Sequence, residues 1–433
     1  MKRTLLKKPQ SFIKYALFFF ILLLAYSFMI VNRFQFWSID KHIYTFFLTD
    51  YSFGFCTKFL LGATYHLFFK EVIEWQLVLF LSIVLVLFFA FVSLLLAKVL
   101  SAQENAEDRN RLLILFFFFL TGPSTFSSLS YQLGIYDTYW FVLALAMVVF
   151  VSNKYLKFLI PALCVLCILV HFTSVISFIV FFCLLMWYEA VRREGKHRAV
   201  MVALLIFCAL LSLGLTLYFI RFESDNLKYT MEEFDKELLA RNRFTKGGGN
   251  IDIDYYNSVF YHQMLGGDYH DMLARYYENL WIDPSASSLP APLVSFINIV
   301  GGYVHYIKYN FSNDTVHILS TAAVTILIDL PLLVVFYGYW RKKRKEQKGF
   351  FAKLLYVLIM LQYPVALCGC LLSVDVVRWM MHGFVLQFVL FLYILIKEKD
   401  WEYLKECLLF RADYRYSLCY LLCYALTVFD PLT

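Results

Sequence analysis

Charge is scarce in this sequence. Only 16% of its 433 residues are Asp, Glu, Lys or Arg, and 61% are hydrophobic, whereas soluble domains are about 25% charged and about 45–50% apolar. An ordinary globular core cannot absorb that excess, so the soluble classes are excluded. Proline and glycine are thin as well, at nine and 17 residues, and leave few breaks in the apolar runs. The ten cysteines lie mainly inside such runs (Cys164, Cys167, Cys183, Cys208, Cys419, Cys423). With no His or second Cys pair at zinc-site spacing, they read as small hydrophobes, and no disulfide framework is expected. The triple glycine at 247–249 lacks the Lys-Ser/Thr of a phosphate-binding loop. No internal repeat is visible. No small-residue cleavage site follows the basic lead and first apolar run, which is therefore expected to persist as a span.

What is present is a series of apolar stretches. Those at 12–31, 76–97, 199–220, 316–339, 350–372 and 376–396 approach or exceed the ~20 residues that cross a bilayer as a helix. Shorter or interrupted ones lie at 112–126, 138–152, 158–188 and 417–428. The total is roughly 10–12 spans, and at this hydropathy only helices satisfy their own backbone in lipid. The expected fold is all-α, a polytopic transmembrane helix bundle in contact with membrane lipid. Lys and Arg cluster at 2–8, 192–198, 341–348 and 397–415, and the positive-inside rule puts these on the cytoplasmic face with the N-terminus. The same rule accounts for the net charge of +7 without a nucleic-acid partner. The expected location is a membrane crossed many times, with the N-terminus cytoplasmic.

That orientation divides the chain into an N-terminal bundle (1–220), an extracytoplasmic region (221–315) and a C-terminal bundle (316–433). The first outer loop is 32–75, and 397–415 is expected to lie on the cytoplasmic surface as an amphipathic segment. The run 158–188 is too long for one span and is expected to fold as a hairpin with His171 near its outer tip. Region 221–315 holds thirteen acidic and eight basic residues, a reversal of sign that suits the outer side. Within it, 232–243 should be helical, 246–250 a flexible joint, and 293–309 a re-entrant or interfacial helix.

Polar residues from separate outer turns then fall at one depth: Asp40, Asp50 and Lys58 from the first loop, Asp137, His171, and the pair Asp375 and Arg378. Ionisable residues at span edges are costly, so their convergence suggests a site. Asp375 and Arg378, three apart, share a helix face; Arg378 suits a phosphate, and Trp379 behind it suits the interfacial belt. Asp137 fits either an N-cap or a substrate-facing carboxylate. His171 suits donation to an anion or a proton relay. Asp50 heads an aromatic, glycine-punctuated segment expected to lie in the interface, with Lys58 as a phosphate ligand.

The arrangement resembles the C superfamily of membrane glycosyltransferases, which use polyprenyl-phosphate-linked sugars at the outer face. That resemblance implies a base carboxylate in the first outer loop, a place held here by Asp50 and Asp40. It also implies an Asp opening a span near the fourth helix, as Asp137 does. The segments Asp50…Gly54-Phe55-Cys56-Thr57-Lys58-Phe59-Leu60-Leu61-Gly62 and Asp375…Arg378-Trp379 look similar to motifs of bacterial polytopic proteins from surface-polysaccharide loci. Arg would be expected there at position 58 and Gly at 377, where this chain has Lys58 and Val377. The expected activity is a glycosyltransferase or polysaccharide polymerase, with no cofactor assigned and a divalent metal left open. The rivals are a flippase or transporter of lipid-linked sugars and a non-catalytic scaffold.

Overall fold

A computed structural model describes residues 9–33, 46–121, 136–222, 288–367, 369 and 376–407. Asp40, Asp375, the expected elements at 232–250 and the last expected span at 417–428 lie outside them. The regular elements within them are all helical: α1 (Pro9–Arg33), α2 (Phe59–His66), α3 (Glu74–Ser101), α4 (Ala106–Thr121), α5 (Tyr136–Ser152), α6 (Ile160–Val170), α7 (Phe178–Val191), α8 (Gly195–Phe222), α9 (Ala291–Glu346), α10 (Phe350–Leu367), α11 (Val376–Glu398) and α12 (Trp401–Glu406). Five stretches are long and apolar enough to cross a membrane: Glu74–Ser101, Phe172–Val191, Gly195–Phe219, Phe350–Leu367 and Arg378–Glu398. A bent pair, Leu319–Leu327 with Asp329–Glu346, makes a sixth, and three shorter apolar helices accompany them. The protein is a polytopic α-helical membrane bundle. The outward side of α8 is apolar (Ile206, Phe207, Leu210, Leu213, Leu217), as a lipid-facing helix requires.

The run 158–188 breaks where expected. His171 is extended, with φ −171° and ψ 132°, between α6 and a short 3-10 turn, Phe172–Ile176. Its ring lies 5.1 Å from that of Tyr136 at the start of α5, while Arg193, just beyond α7, donates to the Val151 carbonyl at the other end of α5 (3.3 Å). Both feet of the segment therefore stand at one end of α5 and its bend at the other, which makes it a hairpin.

Segment 293–309 departs from expectation, because it is continuous with the following span as the 56-residue α9. Residues 310–315 are polar but contain neither proline nor glycine, so nothing in the backbone stops the helix. The bend of 67° falls instead between Leu327 and Asp329. Pro331 explains its position: its ring excludes a normal helical path at the carbonyl four residues earlier, that of Leu327. A second internal proline, Pro364 in α10, leaves the Met360 carbonyl without its helical donor. Tyr337 of α9 supplies one, its hydroxyl donating to that carbonyl at 2.7 Å. In lipid such a group must be satisfied from within the protein.

One apolar core runs through α1 and α3–α11. A second, smaller one gathers Phe46, Phe47, Phe53, Phe59, Leu61 and Tyr65 with Leu77 and Leu81 of α3, and packs on Tyr136 and Tyr139 of α5. The 46–73 segment is thus a folded cap with its own core, and α2 is one short helix within it. Gly62 allows this: a Cβ there would overlap the Thr49 carbonyl. Polar groups collect at both ends of α11. Arg378 and His382 lie near its start. Glu398 closes its far end, where it meets Arg192 (2.9 Å) and Lys343 (2.7 Å). At 1.5 Å per residue the 20 residues from Arg378 to Glu398 span about 30 Å, the thickness of a hydrocarbon core.

Candidate anion site at the start of α5 and α11

Asp137, in the first turn of α5, is completely buried. A carboxylate removed from water is tolerated only when paired and hydrogen-bonded, and two groups of α11 do this. Arg378 Nε lies 2.7 Å from Oδ2, with Nη2 3.5 Å from Oδ1. His382, one helical turn further along the same face, places Nε2 2.6 Å from Oδ1. The His382 ring is enclosed by Trp140, Phe141, Phe178 and Trp379, with centroids 5.0 to 5.9 Å away. Among the described residues, the Asp137 carboxylate has both of its partners on α11. It is the counter-ion that ties α5 to α11.

The Arg378 guanidinium lies 4.3 Å over the ring of Tyr136, a cation–π contact that sets its plane. The His171 imidazole approaches the same Tyr136 ring (5.1 Å) and that of Trp140 (6.2 Å). Its Nδ1 accepts from the Thr173 amide at 3.2 Å, with Thr173 Oγ1 at 3.1 Å. A neutral imidazole that accepts at Nδ1 carries its proton on Nε2, so these hydrogen bonds assign His171 as an Nε2–H donor. Among the described residues nothing hydrogen-bonds that nitrogen.

Lys58 joins from the cap. Its backbone is left-handed (φ 70°), and its amide donates to the Leu169 carbonyl at 3.0 Å, two residues before His171. Lys58 is buried despite its charge. A left-handed, buried lysine carries backbone strain and desolvation together, a combination that persists where the surroundings over-determine it.

The structure thus brings together four of the residues singled out in the sequence: Lys58, Asp137, His171 and Arg378. Asp50 opens the cap turn, where Oδ1 accepts from the Ser52 amide (2.7 Å) and its carbonyl from the Phe53 amide (3.1 Å). This is an Asx turn, a structural task for one carboxylate oxygen. Trp379 is buried against His382, and Gly369 leaves room for its indole. Two polar residues escaped the sequence reading. His382 sits within an apolar run, and its only signal is a spacing of four from Arg378. Asp329, wholly buried beside the bend of α9, is a lone acid in an apolar span and was visible as such.

The assembled groups are hydrogen-bond donors and cations beside aromatic rings, while the Asp137 carboxylate is engaged by Arg378 and His382. That chemistry holds an anion with several oxygens, such as a phosphate. Among the described residues no three His, Cys, Asp or Glu side chains are gathered as metal ligands. No family model, curated protein or solved structure matches the chain.

Proposed function

We propose that the protein is a membrane glycosyltransferase or polysaccharide polymerase. It acts on polyprenyl-phosphate-linked sugars at the outer face of a bacterial inner membrane, in cell-surface polysaccharide assembly. One observation carries this reading: Arg378 and His171, from distant parts of the chain, share the Tyr136 ring at a border of the bundle, and the Lys58 backbone joins the stretch of chain just before His171. There they meet a phosphate whose lipid tail lies among the spans. By the positive-inside rule this border is extracytoplasmic, since Arg192, Lys343 and Lys397 all lie at the other. Arg378 and Lys58 hold the charge that grows on the departing polyprenyl phosphate. Asp50, with Asp40 as the second candidate in the same loop, takes the proton of the acceptor hydroxyl as it attacks the anomeric carbon. The aromatic residues Tyr255, Tyr256, Tyr261 and Trp281 of the long outer region offer the sugar stacking surfaces.

A second reading, a transporter of lipid-linked sugars, is favoured by one feature. Asp329 lies on a proline-broken helix about 21 Å along the axis from Lys343, inside the hydrocarbon layer, where broken helices and ionisable groups serve transport. One experiment separates the two. Asp50→Asn preserves the oxygen that accepts from Ser52 and removes only the charge; Asp329→Asn does the same in the span. With protein levels equal to wild type, Asp50→Asn is expected to lower surface-polysaccharide output by about 10²–10⁴-fold, the usual worth of a general base. Full output from Asp50→Asn together with loss in Asp329→Asn favours transport.

A further inference from the structure

We infer that His382 is a positioning residue for phosphate binding: through Asp137 it fixes the guanidinium of Arg378. The inference rests on the phosphate reading above and adds to it a residue with no direct ligand contact. An Asp side chain turns broadly about its last torsion, so one partner does not fix its plane. Here each oxygen has its own main partner, Oδ2 with Arg378 Nε (2.7 Å) and Oδ1 with His382 Nε2 (2.6 Å). The His382 ring cannot yield, being 1% exposed and packed on four aromatic rings. Gly383, the next residue, seats α11 against Tyr363 and Ala366 of α10, where a Cβ would come within 2.7 Å and 3.1 Å of their side chains. Position 382 is therefore held laterally as well.

The chain of constraint runs from the packed ring to the carboxylate, and from the carboxylate to the Nε–Nη2 edge of the guanidinium. The Tyr136 face completes it by setting the tilt of the fork. The geometry makes the role depend on Nε2 of His382 rather than on a ring at that position. Buried carboxylates and imidazoles orient metal ligands in the same manner; here the oriented group is a cation.

The isosteres give a sharp test. A Gln side chain places its amide nitrogen near the position of imidazole Nε2, whereas Asn reaches only that of Nδ1. The full chain, reconstituted in lipid nanodiscs, is titrated calorimetrically with geranyl phosphate, and each variant is melted in parallel. His382→Gln is expected to bind within a few-fold of wild type. His382→Asn and His382→Phe are expected to weaken binding by about tenfold or more, as loss of a hydrogen bond to a charged group implies. Asp137→Asn should match His382→Asn, and the double variant should be no worse than either, because both act on one element. A merely structural His382 would lower the melting temperature of Gln and Asn variants alike and leave the affinity of the folded fraction unchanged; that outcome overturns the inference. So does wild-type affinity in His382→Asn. Absence of binding by the wild type overturns the phosphate reading itself, and the two failures are thereby distinct.

Discussion

Lys58 carries two burdens at once, a left-handed backbone and a buried ammonium. Strain of this kind costs about 1–3 kcal/mol, and glycine adopts the same backbone without it. Lys58→Gly relieves the backbone strain and is expected to lower affinity for geranyl phosphate; parallel melting and titration read both. A loss of stability would show that the Lys58 side chain is structural. At this scale the sequence revealed each polar residue by its position at the edge of an apolar run. It did not reveal partners. Arg378 forms a salt bridge with Asp137, 241 positions earlier, a meeting that neither residue's surroundings announce. Nothing local encodes such a meeting, which the packing of α5 on α7 and of α7 on α11 brings about. His382 was hidden for the converse reason, because a single imidazole in an apolar run has no periodic signature.

Among elements, the two internal prolines show how a helix is repaired or left bent. Pro364 frees the Met360 carbonyl, and Tyr337 restores its hydrogen bond. Removing that hydroxyl by Tyr337→Phe strands a buried carbonyl, at a cost of about 1–3 kcal/mol. A lower melting temperature of the nanodisc-embedded protein is the expected result, with binding of geranyl phosphate retained, since α9 and α10 meet here away from the anion site. Helix positions were legible because hydropathy reports burial in lipid directly. The joining of 293–309 to the next span was not. Polarity at 310–315 suggested a loop, but polarity marks contact with water or protein, and Asn, Ser, Asp and Thr lower helix propensity only modestly, so a helix can continue through them. The folding of 46–73 into a cap with its own core was likewise beyond a pattern-based reading, because its contacts lie on α3 and α5.

Across the molecule, the end of the bundle opposite the anion site is tied by charge. Glu398 takes Arg192, Lys343 and the hydroxyls of Tyr188 (3.1 Å) and Tyr356 (3.5 Å), and Asp400 takes Lys343 (2.7 Å) and Lys342 (3.4 Å). Burial by itself would raise the Asp400 carboxyl, but hydrogen bonds and charge from Lys343 and Lys342 outweigh it and hold the group below its ordinary value. Its stabilising contribution is therefore complete above the unfolded-state value near ~3.9 and disappears as pH falls through the lower folded-state value. Melting temperature followed from pH 7 to pH 3 is expected to drop less steeply in Asp400→Asn than in wild type. Equal slopes would remove this network from the acid response. The bundle itself was foreseeable from composition, whereas these ties were not, because basic runs announce a membrane face and say nothing about which acids answer them. Fastened by ion pairs at both of its ends, α11 has no freedom to slide like a piston. Any working stroke must pass instead to the stretch of α9 before Pro331, because the stretch after it is lashed to this fixed mast through Lys343.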